Sequence, residues 1–442
     1  MKKHTRKKTN PKKAILVLFV IAFALRLIPA IWFSDLPKDD AAAYNNIAIS
    51  LAHGEGFRLQ GELTATREPL LPYVASLIYR LLGEDARYVY AFQALLSAIV
   101  PVLIFYISRA VFQNERPGWL AAIITALYPN FILYTKVIVT ETLFTFLLTL
   151  TIFFLIQAIQ QPGLKYYGLT GLTLGLTILT KASFLLFPTF ILISLFLLFK
   201  KRIYKEKTMQ KGIAIMLLVC LLVIGSWALR NYLIWDEFIP IVSRGGTALF
   251  YGTYIPYNNM YTYDRPLDSV ELAIMGDEKD PIKIDQRFYQ AAKDYLIAHP
   301  IASFFFYLKK MLILWYGPAD AIGYPLQVFT GNTHIIYEKP IISVIFETDL
   351  RVTIMTLSYV GLFWLCIALA LYGLWYQRKN KLTWLLIMPI VYATLIYSIV
   401  QVSPRYKEPV LVFIFIMASQ GWQHYKARKH ANAFYKPQKA RH

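Results

Sequence analysis

The chain has 442 residues, 57% of them hydrophobic and only 16% charged, with a mean hydropathy of +0.45. A soluble domain carries about 25% charged residues, so an ordinary water-soluble enzyme is excluded and an integral membrane protein remains. The net charge of +20 sits in short segments beside apolar runs: seven Lys/Arg in residues 1–13, six in 200–211, three in 377–381 and six in 424–442. This is the positive-inside pattern. It makes the lipid bilayer the partner and excludes a nucleic-acid surface, which needs a basic folded face.

The first apolar run, Ala14 to Phe33, follows a basic leader, and no small-residue cleavage site closes it. It reads as an uncleaved anchor with its N-terminus in the cytoplasm. Residues 34–85 then form a first external loop. Stretches 41–52 and 69–82 within it read as short amphipathic helices, with Gly54, Gly56 and Gly61 in the turn between them. Further spans fit residues 88–112, 118–135, 137–160, 166–181, 183–199 and 212–234, which returns the basic 200–211 loop to the cytoplasm.

A second external segment covers residues 235–349. Asp285–His299 has helical periodicity, and Pro300 stops it. Ile301–Tyr316 is apolar but short and is interrupted by Lys309-Lys310, so an interfacial or re-entrant helix is expected there. Spans at 352–376, 382–402 and 408–423 complete the chain, leaving 424–442 as a basic cytoplasmic tail. The expected fold is an all-α polytopic membrane protein, one domain over residues 1–423, with about ten or more transmembrane helices and surface helices on its external loops. Cys220 and Cys366 both lie in apolar runs, which argues against a disulfide or a Cys-built metal site.

Charges on the outer face or inside spans are costly unless paired or used. Asp35, Asp39 and Asp40 follow the first span. Asp40 precedes a helix and reads either as an N-cap or as a carboxylate general base. Arg67-Glu68-Pro69 reads either as helix-start chemistry or as a substrate or metal ligand. Glu141 is either the partner of a nearby cation or part of a site. Lys181, Arg230, Arg244, Arg405 and Lys407 break the positive-inside trend. Singly each can snorkel; together they suit a phosphate or pyrophosphate, most pointedly in the turn Ser403-Pro404-Arg405-Tyr406-Lys407. His53, His299 and His334 are external too, but no HExxH spacing joins them. No Walker loop or dinucleotide fingerprint occurs, so ATP-driven transport has no support.

Several ordered motifs carry a resemblance: Asp40-x-x-x-Tyr44 with Gly54-x-Gly56-Phe57, Arg67-Glu68-Pro69-Leu70-Leu71-Pro72, Tyr128-Pro129 with Thr140-Glu141-Thr142, Leu179-Thr180-Lys181, Arg230-Asn231-Tyr232 and Ser403-Pro404-Arg405-Tyr406. Their order resembles the bacterial protein-mannosyltransferase-like glycosyltransferases of the GT-C fold, a group that includes the lipid A aminoarabinose transferases. The resemblance implies an inverting transferase in the inner membrane, active on its extracytoplasmic side. It would move a sugar from a polyprenyl-phosphate donor to a hydroxyl acceptor (lipid A, a glycan or a protein). Asp40 matches the family's catalytic carboxylate, with Asp39 beside it. Arg405 and Lys407, helped by Arg67, Lys181 and Arg230, would hold the donor phosphate. Tyr44, Glu141 and Tyr406 would shape the site. No cofactor is required; a divalent metal is possible, with Glu68 its candidate ligand. The chain departs from the family where an Asp-Glu pair becomes Asp40-Ala41, where Arg-x-Pro-Pro becomes Arg67-Glu68-Pro69-Leu70, and where an Arg becomes Lys181. It also lacks the Trp-Trp-Asp signature of oligosaccharyltransferases. The rival reading is a transporter or lipid-carrier flippase, which calls for polar groups through the depth of the bundle and an inverted repeat.

Overall fold

A computed structural model describes residues 11–32, 37, 39–161, 163–257, 268–316 and 350–435. The expectations placed on Asp35 and His334 lie outside these residues. Helices dominate: α1 (Pro11–Trp32), α2 (Asp39–Ala52), α3 (Leu70–Leu82), α4 (Ala86–Phe112), α5 (Glu115–Leu127), α6 (Pro129–Leu133), α7 (Thr140–Gln160), α8 (Lys165–Thr180), α9 (Phe187–Lys205) and α10 (Lys207–Trp235) come first. Then follow α11 (Gly245–Thr253), α12 (Ser269–Met275), α13 (Pro281–Ala298), α14 (Pro300–Tyr316), α15 (Leu350–Gln377), α16 (Lys381–Ile399), a 3-10 turn at Pro404–Val410, and α17 (Leu411–Tyr435). The described strands are two two-residue pieces, Arg58–Leu59 and Glu62–Leu63, which pair antiparallel in the turn after α2. There Gly54 and Gly56 take φ of 83° and 97°, which only glycine adopts without strain.

Among the described residues seven helices are long and apolar enough to cross a membrane, and up to nine if each of two bent pairs is one span. The bends have a local cause. The expected span 118–135 breaks by 55° between α5 and α6, because Pro129 has no N–H and holds Tyr128 in an extended conformation. That break strands the carbonyls of Thr125 and Ala126. Arg26, fully buried in α1, supplies the missing donors: Nη2 to Thr125 O at 3.1 Å and Nη1 to Ala126 O at 2.8 Å, with Nε on Ser97 Oγ at 2.7 Å. One intramembrane guanidinium thus ties α1, α4 and α5 together.

The second bend, 109° between α13 and α14, falls at His299-Pro300. Lys310 of α14 does not reach for solvent. It is fully buried, and its Nζ donates to Gly252 O at 2.6 Å, Ile399 O at 3.1 Å and Val400 O at 2.7 Å. It thereby satisfies carbonyls at the end of α16 and fastens α11 to it. The stretch around α14 is therefore built into the bundle by the lysine that interrupts its sequence pattern.

The core is centred on α17, whose residues from Leu411 to Ala418 are all buried. It packs on α15 through two glycines. A Cβ on Gly421 would sit 2.0 Å from Leu369 O, and one on Gly373 2.4 Å from Met417 O. Helices this close need small residues at the crossing. The surface helices α2 and α3 form their own apolar layer with Tyr134, Val137, Leu143 and Leu147. Tyr79 OH donates to Asn45 Oδ1 at 2.5 Å to join them.

Candidate active site

A cavity of about 400 Å³ opens where α2, the segment before α3, the α8–α9 turn, α11 and the turn after α16 converge. Each wall is held by a specific contact. α11 is fixed at its start by Asp285 of α13, which accepts from Gly246 N at 3.0 Å and from Thr247 N at 2.7 Å. Its other end is fastened by Lys310, and Gln401 N donates to Ala248 O at 3.0 Å. The α8–α9 turn is braced by Tyr392 OH on Ser183 O at 2.8 Å and by a 3.0 Å bond between the hydroxyls of Ser183 and Tyr397.

Asp40 lies in the first turn of α2, inside the helix, and its carboxylate is turned to two arginines instead of capping. Arg405 Nη2 donates to Oδ2 at 2.7 Å. Arg67 Nη2 lies 3.1 Å from Oδ1, an ion pair without hydrogen-bond alignment: Oδ1 and Arg67 Nε each lack a hydrogen bond among the described residues. The Asp40 side chain is 16% exposed. Burial pushes its carboxyl up, but Arg405 and Arg67 together pull harder and hold it at about 2. It is therefore charged and, as it stands, a weak base.

Glu68 is occupied in a different way. Tyr44 OH donates to its Oε2 at 2.5 Å, and Ala182 N to its Oε1 at 3.4 Å. Glu68 thus braces α2 against the α8–α9 turn. This bears on the metal reading. No group of three or more His, Cys, Asp or Glu suited to a metal occurs among the described residues, and the nearest carboxylates face Arg67, Arg405 and Lys181, whose charge repels a cation. The described residues do not fit a divalent ion.

Lys181, at the α8 C-terminus, donates to Thr140 Oγ1 at 3.2 Å, lies 3.6 Å from Glu141 Oε1 and sits 4.8 Å from the centre of the Tyr406 ring. Glu141, behind the cavity wall, also lies 3.6 Å from Arg405 Nε, so it orients both cations. Arg405 is 5.4 Å from the Tyr406 ring centre, and Tyr397 stacks on Tyr406 at 4.7 Å.

Of the expected phosphate ligands, Arg405, Arg67 and Lys181 line this cavity; Lys407 and Arg230 do not. Lys407 is fully buried and turns into the bundle, its Nζ 5.7 Å from the Phe363 ring centre. Arg230 stacks over Trp227 at 4.6 Å and donates to Asn231 Oδ1 at 2.9 Å. The side chain of Asp39 lies outside the described residues. Arg244 joins the cavity wall with Thr66, Thr247 and Tyr251. The charge bias had singled out Arg244, whereas nothing in the spacing of Thr66, Thr247 or Tyr251 marks them.

Residues 66–227 match the family model of dolichyl-phosphate-mannose-protein mannosyltransferases. An uncharacterized protein of Aquifex aeolicus (strain VF5) is 25% identical over 194 residues, 43% of this chain and 38% of that protein. The archaeal oligosaccharyltransferase AglB from Archaeoglobus fulgidus, solved with an inhibitory peptide and a dolichol-phosphate, superposes with a TM-score of 0.56 at 15% identity, covering 95% of this chain and 52% of that one. ArnT from Cupriavidus metallidurans bound to undecaprenyl phosphate gives 0.45 at 12% identity, over 93% and 78%. This chain thus spans about half of AglB and 38% of the Aquifex protein. It is a multi-pass membrane protein with the GT-C fold, and over residues 66–227 it carries the pattern of the dolichyl-phosphate-mannose-protein mannosyltransferase family.

Proposed function

We propose that the protein is a membrane glycosyltransferase that moves a sugar, with inversion, from a polyprenyl-phosphate donor to a hydroxyl acceptor on the extracytoplasmic face of a bacterial inner membrane. One observation carries this reading: a carboxylate, Asp40, stands between Arg67 and Arg405 on the wall of the 400 Å³ cavity, with Lys181 and Arg244 beside them. A base next to a cluster of cations is what displacement of a phosphate leaving group requires. The family match over residues 66–227 and the dolichol-phosphate bound by AglB agree with it.

In the reaction the acceptor oxygen attacks the anomeric carbon and its proton passes to Asp40. The bond from that carbon to the phosphate oxygen breaks, and its electron pair stays on the lipid phosphate. Arg405, Arg67 and Lys181 stand where that oxygen gains charge, and donors fixed in advance at a developing charge supply the largest share of such catalysis. Glu141 holds Lys181 and Arg405 from behind, while Tyr44 and Glu68 hold α2 in register. No nucleotide takes part, because the lipid phosphate is itself the activated leaving group.

The test is turnover of radiolabelled polyprenyl-phosphate sugars by the purified protein in liposomes, wild type beside Asp40→Asn. Sugar transfer with release of polyprenyl phosphate, lost in the variant, supports the reading. Intact donor crossing to the opposite leaflet, indifferent to the substitution, would make the protein a lipid carrier instead.

A further inference from the structure

The cavity poses a chemical problem. A carboxylate held by two guanidinium groups has little affinity for a proton, yet the proposed chemistry asks Asp40 to take one. The contacts around it indicate how the two states are joined. Arg67 and Arg405 grip Asp40 incompletely: one aligned hydrogen bond at 2.7 Å and one unaligned contact at 3.1 Å. Arg67 Nε, buried, has no hydrogen bond among the described residues. A guanidinium offers five donors in a planar fork, so most of the pair's capacity is not spent on Asp40. Of the other described anions nearby, Glu141 draws on it only through Arg405 Nε, at 3.6 Å. Glu68 is taken by Tyr44 and Ala182, and Glu141 sits behind the wall between Lys181 and Arg405.

We propose that Asp40 and the donor phosphate share the arginine pair Arg67 and Arg405, so that the carboxylate is held idle in the empty enzyme and released to act as base when phosphate takes its place. This rests on the glycosyltransferase reading and adds the regulation of its base. A phosphate brings more acceptor oxygens than one carboxylate and suits bidentate arginine contacts. As the arginines turn to it, the attraction that kept Asp40 ionised weakens while its burial persists, so its proton affinity rises. The groups facing Asp40 are then Arg244 on the α11 side, Tyr44 on its own helix, Glu68, and Glu141 with Lys181 beyond Arg405. The base is strengthened only with donor in place. Coupling of this kind is reciprocal: if phosphate raises the proton affinity of Asp40, the Asp40 carboxylate must weaken phosphate binding by the same factor.

That reciprocity yields an unusual expectation, since removal of a supposed catalytic residue should tighten binding. Farnesyl phosphate is titrated into the full-length protein in nanodiscs at pH 7.5. Asp40→Asn is expected to bind it about 5- to 150-fold more tightly than wild type, the usual span of site coupling. Arg67→Gln and Arg405→Gln weaken binding with or without Asp40. Equal or weaker binding by Asp40→Asn overturns the proposal. A second measurement needs no substitution. A farnesyl methyl phosphodiester, which does not itself titrate near pH 4.5, is expected to draw protons onto the wild-type protein when it binds at that pH, read as binding heat in buffers of different ionisation enthalpy; no uptake, or release, overturns the proposal. Tighter binding without transfer of any sugar would sink the glycosyltransferase reading and leave the shared arginine pair standing. Transfer without tighter binding would do the reverse.

Discussion

Asp40 and Arg405, 365 residues apart in the chain, meet at 2.7 Å on the wall of the cavity. This ion pair joins helix α2 to the turn between α16 and α17. The arginine's other side faces Glu141, so it is held from both directions and its planar fork is aimed, not merely charged.

Replacing Arg405 by lysine keeps the charge and removes the fork. Loss of one preorganised donor at a developing charge costs about 10²–10³ in kcat, and Arg405→Lys is expected to fall by that order. Steady-state kinetics with a polyprenyl-phosphate sugar would check it. A variant with wild-type kcat would mean that Arg405 contributes charge alone.

The pH dependence follows from the carboxyl held at about 2 in the empty enzyme. An acidic group with depressed affinity stays ionised until the pH falls to that value. kcat/KM, which reports the free enzyme, should therefore show no acid limb from Asp40 above about pH 3. kcat reports the donor complex, where phosphate occupies the arginines, and its acid limb should lie higher. The same depressed carboxyl contributes stability that is complete above its ordinary range near 4 and lost as the pH falls through about 2. Coincident acid limbs in the two profiles would mean that donor binding leaves Asp40 unchanged.

Chelation is expected to leave turnover unaffected, since Glu68 accepts from Tyr44 and Ala182 and positive side chains crowd the carboxylates. Tyr44→Phe, which removes one of these donors, should lower activity by loosening α2. Inhibition by EDTA, restored by Mg²⁺ or Mn²⁺, would return Glu68 to the role of a metal ligand.

Arg26→Leu should destabilise the fold without entering the chemistry. It strands the carbonyls of Thr125 and Ala126, which Pro129 leaves without helical partners. Each buried acceptor left unsatisfied in this way costs about 1–3 kcal/mol. Thermal unfolding in detergent would show the loss, and an unchanged melting temperature would mean that those carbonyls find other donors.

Gly421→Ala tests the α15–α17 crossing. Its Cβ would fall 2.0 Å from Leu369 O, a backbone atom that cannot turn aside. Overpacking of this kind costs about 1–3 kcal/mol or more. A variant as stable as wild type would show that the two helices can separate freely.

Much was legible in the chain itself, because bilayer insertion is a local matter. Apolar runs near 20 residues and the Lys/Arg beside them are read one segment at a time, and they determined a polytopic, all-α protein. The surface helices around 41–52 and 69–82 and the stop at Pro300 came from equally local signals. The bend at Pro129 and the burial of Lys310 did not, because the partners that make them tolerable, Arg26 and the carbonyls of Ile399 and Val400, are remote in sequence. The site divides in the same way. Asp40, Arg67, Lys181 and Arg405 stood out as expensive charges, yet so did Arg230 and Lys407, and only the tertiary structure sorted them. Arg405 and Lys407 share a 3-10 turn with about three residues per revolution, so side chains two apart point to different sides. One faces the cavity and the other the interior of the bundle. Sequence showed which residues are costly; the three-dimensional arrangement decided which of them meet, because long-range ion pairs are set by how helices pack and turn, not by spacing along the chain.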